Sequence, residues 1–482
     1  MRFSAVLHIQ GLLALLIATC MLVPLGVSLY YGEGDALAFG LSILATALVG
    51  LLLWLPFRSQ SRAVTRRESL AIVSFGWILA SAFAAIPFML TGATRSFVDA
   101  YFETMSGFTT TGASILAGIE PLPHGILFWR SFTQWLGGMG IIVLFVAILP
   151  ILGVGAAQMV EYEAPGPPAE RLTPRIRQTA KALWLIYVVI SAAEVLLLLL
   201  GGMSLYDAVT HMFTTMATGG YSVRNLSIGA YGSAYIDYVI GIFMLAAGVN
   251  FGLYYLLWRG KGWRVLADRE LRVYLCIVAS ATALVAADLV LSRQMSVPEG
   301  IRYAFFQVSS IQTTTGYTTA DFNLWPSFSK LILVGLMIVG ACAGSTGGAM
   351  KVIRLWILVK FAHRELRVMF RPRAVLSLKI AGKPVPDKVI TETVGFSILY
   401  LLLLAGATLI VTAFGVDMVS AFTSVAATLG NVGPGLGIVG PMTNYGGLPD
   451  AVKVLLTFCM LAGRLELWTV FVLLRPEFWS RQ

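Results

Sequence analysis

Long apolar runs separated by short polar stretches dominate this chain of 482 residues. A helix needs about 20 apolar residues to cross the hydrocarbon core of a bilayer. Runs of that length fall at about 7–29, 36–57, 70–91, 128–152, 181–201, 236–258, 272–291, 328–361, 393–414 and 450–474, the eighth interrupted by glycines. The pattern predicts an all-α polytopic membrane protein. A signal peptide ending near Ala18-Thr-Cys20 is the competing reading of the first run. It is disfavoured because that run is longer than a usual signal core and a second apolar span follows at once.

Between the later runs lies a second, shorter pattern of mixed apolar and small residues. Examples are Ala100-Tyr-Phe-Glu-Thr-Met-Ser-Gly-Phe and Ala304-Phe-Phe-Gln-Val-Ser-Ser-Ile-Gln. Such segments are too short to span and suit re-entrant half-helices. Each ends on a related motif: Phe108-Thr-Thr-Thr-Gly112-Ala-Ser, Ala217-Thr-Gly-Gly220-Tyr-Ser, Gln312-Thr-Thr-Thr-Gly316-Tyr-Thr and Gly430-Asn-Val-Gly433-Pro-Gly. The copies recur at about 95 to 120 residues, the period of a large repeat. Aligning on Gly112, Gly220, Gly316 and Gly433 places alanine twelve residues earlier in every copy: Ala100, Ala208, Ala304 and Ala421. Shifting the second copy to Gly219, or the fourth to Gly430, loses that agreement.

The expected fold is four helix–re-entrant pore loop–helix repeats around one pore, plus two extra N-terminal transmembrane helices. The expected boundaries are 1–68 for the N-terminal pair, then 69–154, 155–260, 261–372 and 373–482 for the repeats, the third with a broken last helix. Potassium channels replace the ion's hydration shell with carbonyls from four short loops. The candidate ion ligands are Thr110, Thr111 and Gly112; Thr218, Gly219 and Gly220; Thr314, Thr315 and Gly316; and Asn431, Val432 and Gly433. A half-helix aiming its C-terminal end at the axis favours a cation there.

Composition agrees with the apolar pattern: 57% of residues are hydrophobic and 12% charged, with mean hydropathy +0.81. Lys and Arg number 34 against 24 Asp and Glu. Their placement excludes a nucleic-acid reading of that excess. Basic clusters at Arg58, Arg62, Arg66 and Arg67, at Arg171, Arg175, Arg177 and Lys181, from Arg259 to Arg272, and from Lys351 to Lys388 all fall on one side of the predicted topology. That is the positive-inside bias, which puts both termini in the cytoplasm and all four motifs outside. The loop around 155–180, with Ala164-Pro-Gly-Pro-Pro168, is expected to be irregular. Cys20, Cys276, Cys342 and Cys459 are scattered, as are the four histidines, so no disulfide framework, metal site or bound cofactor is expected.

The eighth run breaks at Gly340-Ala-Cys-Ala-Gly344-Ser-Thr-Gly347-Gly348-Ala-Met-Lys351. Small residues there serve either close helix packing or an unwound segment. The glycine density, with Ser345 and Thr346 between, argues for an unwound gate loop beneath the motifs. It is no phosphate-binding loop, because Ala349 stands where that motif needs glycine. Gly435-Leu-Gly437-Ile-Val-Gly440 matches a dinucleotide fingerprint but lacks its βαβ context. Arg464, read within the last run, is an intramembrane charge and therefore a functional candidate. It is a positive charge below the motifs that slows cations as an electrostatic barrier or steers and clamps the gate loop, or else half of a structural ion pair, with Glu466 or Glu103. Glu194, also inside a run, reads as structural.

Over nearly its full length the chain resembles the TrkH/TrkG family of bacterial potassium uptake subunits. The residues that carry this are Phe108–Ser114, Gln134-Trp-Leu-Gly-Gly-Met-Gly-Ile-Ile-Val143, Ala147-Ile-Leu-Pro150, Asn431-Val-Gly-Pro-Gly435 and Gly463-Arg464-Leu-Glu466. The two extra N-terminal spans favour TrkH over the shorter, related KtrB. The resemblance implies a four-repeat potassium pore in the bacterial inner membrane, a homodimer, an intramembrane loop at Gly340–Lys351, and gating by TrkA, a cytosolic nucleotide-binding protein. Potassium is then the substrate. Glycine in all four loops accompanies potassium preference in this superfamily, whereas plant relatives with serine in the first loop tend to admit sodium. A secondary transporter coupling potassium to protons or sodium is the alternative. Its weakness is that Glu194 and Glu466 are the only carboxylates deep in the runs. No catalytic constellation is present, so an enzyme is not expected.

Overall fold

A computed structural model describes residues 3–60, 65–140, 176–292, 295–371, 377–380 and 383–480. The second half of the run expected at 128–152 lies outside the described residues. So do Ala147–Pro150, Ala164–Pro168, Arg62, Arg171 and Arg175. The loop expected over 155–180 ends earlier than its composition suggests, since a helix runs from Ile176 to Leu200.

The fold is helical, and among the described residues six helices are long and apolar enough to cross a membrane: Phe3–Tyr31, Ala36–Phe57, Arg67–Leu90, Lys181–Leu200, Arg269–Leu291 and Asp387–Ala413. Local chemistry sets their ends. Thr65 and Glu68 cap the third helix reciprocally. In the fifth, Asp268 is the cap, and its carboxylate accepts the Leu271 N–H at 2.8 Å. The N-terminal pair closes on small residues: a Cβ on Gly11 would lie 2.7 Å from the Gly50 carbonyl oxygen. Gln10 ties the pair to the next helix by donating to the Ile72 carbonyl at 2.8 Å.

From Arg66 onward a long helix is followed four times by a shorter one and a turn. The short helices are Phe97–Phe108, Leu205–Met216, Val297–Gln312 and Met418–Leu429. Ser96, Ser204 and Asp417 cap three of them in one register, accepting from the N–H groups of Asp99, Asp207 and Ser420 at 3.0 to 3.1 Å. The third starts a turn earlier, where the Ser296 N–H donates to Glu299. Ala100, Ala208, Ala304 and Ala421 are all completely buried, at 0% exposure. A larger side chain there would push the short helix off its neighbours.

Buried apolar clusters run around a closed circuit. One joins the N-terminal helices, the first short helix and the fourth (Phe102, Val425). The others join first to second (Phe128, Phe213), second to third (Leu198, Phe306) and third to fourth (Val285, Ala427). Each repeat therefore shares its core with the next, and the last with the first.

Among the described residues two runs expected to be continuous are broken, and the eighth is interrupted where its glycines led us to expect. Ala234–Ala247 and Phe251–Trp258 meet at 92°. Ser327–Val339 and Val352–Phe370 are separated by the non-helical stretch from Gly340 to Lys351. The last run stops at Arg464, where Glu466 and Leu467 take positive φ values of 57° and 39°, and resumes as Trp468–Leu473. Arg464 thus ends a helix instead of lying within one. In the basic stretch after Phe370, Lys379–Ile380 pairs antiparallel with Lys383–Pro384.

Candidate functional site

Each short helix ends in the same turn. Thr110, Thr218, Thr314 and Asn431 take φ values of 54°, 54°, 62° and 54°. The next N–H reaches five residues back in every copy: Thr111 to Ser106, Gly219 to Thr214, Thr315 to Ser310 and Val432 to Ala427, at 2.7 to 2.9 Å. The preceding N–H reaches three back, at 2.9 to 3.2 Å. This is a Schellman closure, which normally has glycine at the left-handed position. Three threonines there cost about 1–2 kcal/mol each, a strain of the kind that accumulates where function fixes the backbone.

Two residues on, Gly112, Gly220, Gly316 and Gly433 also take positive φ, from 72° to 100°. Here glycine is required twice over, because the neighbouring loop occupies the place of a side chain. A Cβ on Gly112 would run into the Gly219 carbonyl oxygen, one on Gly220 into that of Thr315, and one on Gly316 into that of Val432. On Gly433 it would lie 2.8 Å from the Thr111 oxygen. The four loops therefore touch edge to edge in a closed ring, first to second to third to fourth to first. The threonines, Asn431 and Val432 are buried, whereas Gly112, Gly220 and Gly316 keep partial exposure.

The stretch from Gly340 to Lys351 sits directly against this ring. The Gly348 N–H donates to Thr314 Oγ1 at 2.7 Å, and a Cβ on Gly347 would lie 3.0 Å from the Thr313 carbonyl. Its other side rests on the 92° bend: the Cys342 N–H donates to the Gly248 carbonyl at 3.1 Å, and the Phe251 N–H to that of Gly344 at 3.0 Å. Thr346 Oγ1 donates to the Ala247 carbonyl at 3.2 Å. Ser345, Thr346 and Lys351 are buried, and Lys351 Nζ donates back to the Gly347 carbonyl. Gly340 begins the stretch and Gly344 turns it, at φ 72° and 73°. Glu270 clasps both ends, accepting the Ala343 N–H at 2.7 Å and the Ile353 N–H at 3.2 Å.

Arg464 reaches the same place from the fourth repeat. Its guanidinium donates to the Thr346 carbonyl at 2.8 Å and to those of Gly137 and Gly138 at 2.7 and 2.9 Å. The two acids considered as its partners are engaged elsewhere. Glu466 pairs with Arg354, and Glu103 with Arg130 at 2.7 Å, the latter pair almost completely buried. Glu194 is fully buried, with no hydrogen-bond partner for either carboxylate oxygen among the described residues.

Several residues that shape the site escape a reading of motifs alone. Arg130, Glu270 and Arg354 are polar residues in or beside apolar runs, and Gln134 opens one of the stretches that carry the family resemblance, but nothing in the sequence assigned any of the four a role at the loops. Arg130 stacks over the Tyr221 ring at 3.6 Å and donates to the Ser222 carbonyl at 2.9 Å. Among the described residues no cluster of three His, Cys, Asp or Glu is placed to hold a metal ion. What the arrangement offers instead is a ring of peptide carbonyls at the ends of four helix dipoles, suited to a partly dehydrated cation.

Comparison with known proteins agrees with this chemistry. The sequence profile of the TrkH family, described as cation transport protein, matches residues 37–481. The Trk system potassium uptake protein TrkH of Escherichia coli K12 is 42% identical over 99% of this chain and 100% of its own. TrkG of the same organism is 33% identical over 98% of both chains. The crystal structure of the potassium transporter TrkH from Vibrio parahaemolyticus superposes with a TM-score of 0.89, at 38% identity and covering all of both chains.

Proposed function

This chain belongs to the TrkH family of cation transport proteins, and from there we propose that it takes up potassium through a gated, potassium-selective pore. It is a membrane transport protein and not an enzyme. The observation that carries the proposal is the closed ring of loops, in which each motif glycine abuts the carbonyl of the next. The ion ligands are the carbonyls of the segments Thr110–Gly112, Thr218–Gly220, Thr314–Gly316 and Asn431–Gly433. Potassium is the cargo, and the pore needs no cofactor in this chain.

The stretch from Gly340 to Lys351 is the gate, pressed against the inner side of the ring and pinned by Arg464. The relatives' description as parts of a Trk system supports a cytosolic TrkA-type partner acting on this gate. The basic bias of one face supports a bacterial inner-membrane setting with both termini in the cytoplasm. A homodimer completes the proposed assembly. Proteoliposomes with imposed gradients test the transport claim. A potassium gradient alone, without a proton or sodium gradient, is expected to drive potassium flux. Flux that requires a proton or sodium gradient would replace the pore by a coupled carrier.

A further inference from the structure

The four loops of the ring are not braced alike. In the first and third, a pair of threonine hydroxyls two residues apart holds the turn: Thr109 to Thr111 and Thr313 to Thr315, each at 2.8 Å. The second loop has Ala217 and Gly219 at those positions and cannot form the pair. Gln134, on the helix His124–Trp135 of the first repeat, stands in the missing space. A Cβ on Gly219 would collide with the Gln134 carboxamide. Gln134 is fully buried and both ends of its amide are used: Nε2 donates to the Gly219 carbonyl at 2.8 Å, and Oε1 accepts the Tyr221 N–H at 3.1 Å. A backbone N–H only donates and a carbonyl only accepts, so the amide has one orientation here.

We infer that Gln134 is a positioning residue for ion selectivity: its carboxamide brackets Gly220 and fixes the second loop's carbonyls, replacing the threonine brace of the first and third loops. The inference rests on the proposed pore reading. Arg130, one helical turn away on the same face, grips the loop further along through the Ser222 carbonyl. The Gly219 carbonyl that Gln134 holds is the one lying against Gly112, so the clamp also sets the contact between first and second loops. Methionine at 134 has a similar length and makes neither bond. Glycine at 219 and glutamine at 134 form one unit: the loop can be braced from within by threonines or from outside by the amide, but not by both.

The test measures relative potassium and sodium permeability and thermal stability in purified, reconstituted protein. Q134M removes both hydrogen bonds and is expected to lower potassium preference about tenfold or more. The combination A217T/G219T is expected to lose selectivity in the Gln134 background, through collision with the amide, and to regain it when Q134A is added. That reversal of sign is a readout a merely structural glutamine would not give. G112S serves as the control for the pore reading. If G112S keeps full selectivity, the pore reading itself fails. If G112S loses selectivity while folded Q134M keeps it, the clamp alone is wrong. Should Q134M not fold, the triple variant A217T/G219T/Q134A decides: selective protein supports the brace, and unselective or unfolded protein overturns it.

Discussion

Replacing the four motif glycines one at a time by serine is expected to give a graded result. Two costs enter. The first is backbone strain, about 1–2 kcal/mol for an L-residue held in the left-handed region. It applies at all four sites, since φ is 79° at Gly112, 72° at Gly220, 85° at Gly316 and 100° at Gly433. The second is displacement of the neighbouring carbonyl. At Gly112, Gly220 and Gly316 the new Cβ falls on the oxygens of Gly219, Thr315 and Val432, so those oxygens must move. At Gly433 the Cβ lies 2.8 Å from the Thr111 oxygen, so that backbone must also give, but by less than at the other three. Selectivity depends on where the carbonyls sit, and a change of about 1.4 kcal/mol between two ions is a tenfold change in their ratio. The variants at 112, 220 and 316 are therefore expected to lose about tenfold or more of potassium preference, and Gly433→Ser less. Thermal stability is expected to fall at all four, since the backbone strain is common to them, and least at Gly433, where the displacement is smallest. Bi-ionic reversal potentials in planar bilayers, paired with melting curves, measure both quantities. Unchanged reversal potentials in the four folded variants, or the largest selectivity loss at Gly433, would refute the reasoning.

Deleting residues 344–348 removes the part of the stretch that touches Thr314 and is expected to raise basal flux without a partner; wild-type leak in a folded deletion protein would place the gate elsewhere. Arg464 makes three directed bonds to carbonyls, which lysine cannot reproduce because it lacks the planar fork. Both Arg464→Lys and Arg464→Ala are accordingly expected to leak in flux assays, whereas a simple charge barrier predicts a normal lysine variant. Glu103→Gln leaves Arg130 buried without its counter-charge and is expected to cost about 3–5 kcal/mol in unfolding measurements; a loss under about 1 kcal/mol would mean the pair is dispensable. Pull-down with the cognate TrkA protein is expected to recover this chain, with nucleotide altering retention, and failure under every nucleotide condition would count against that partner.

The chain's class and much of its organisation were legible because they depend on spacing. Apolar length marks the six long helices, and the spacing from Ala100 to Gly112 recurs with one backbone conformation in every turn. Breaks inside apolar runs were less legible. The run at 236–258 reads as one span, yet it bends by 92° because the Gly340–Lys351 stretch docks on the Gly248 carbonyl and supplies bonds that a straight helix would not need. Its local signal was Asn250, whose side chain caps the Gly252 N–H at 2.8 Å. The partners of Arg464, Glu103 and Glu466 were illegible for a different reason. Arg464 bonds carbonyls, and Glu466 an arginine, 112 or more residues away, so closure of the ring decides those contacts, whereas Glu103 meets Arg130 inside its own repeat through the packing of two helices.

A dehydrated monovalent cation is expected on the axis of the ring. Rubidium and thallium substitute for potassium and scatter anomalously, so a crystal of this protein soaked in either is the direct measurement. Anomalous density is expected inside the segments Thr110–Gly112, Thr218–Gly220, Thr314–Gly316 and Asn431–Gly433, displaced by potassium and not by sodium. Density confined to some other place in the protein, with the ring empty, would contradict it.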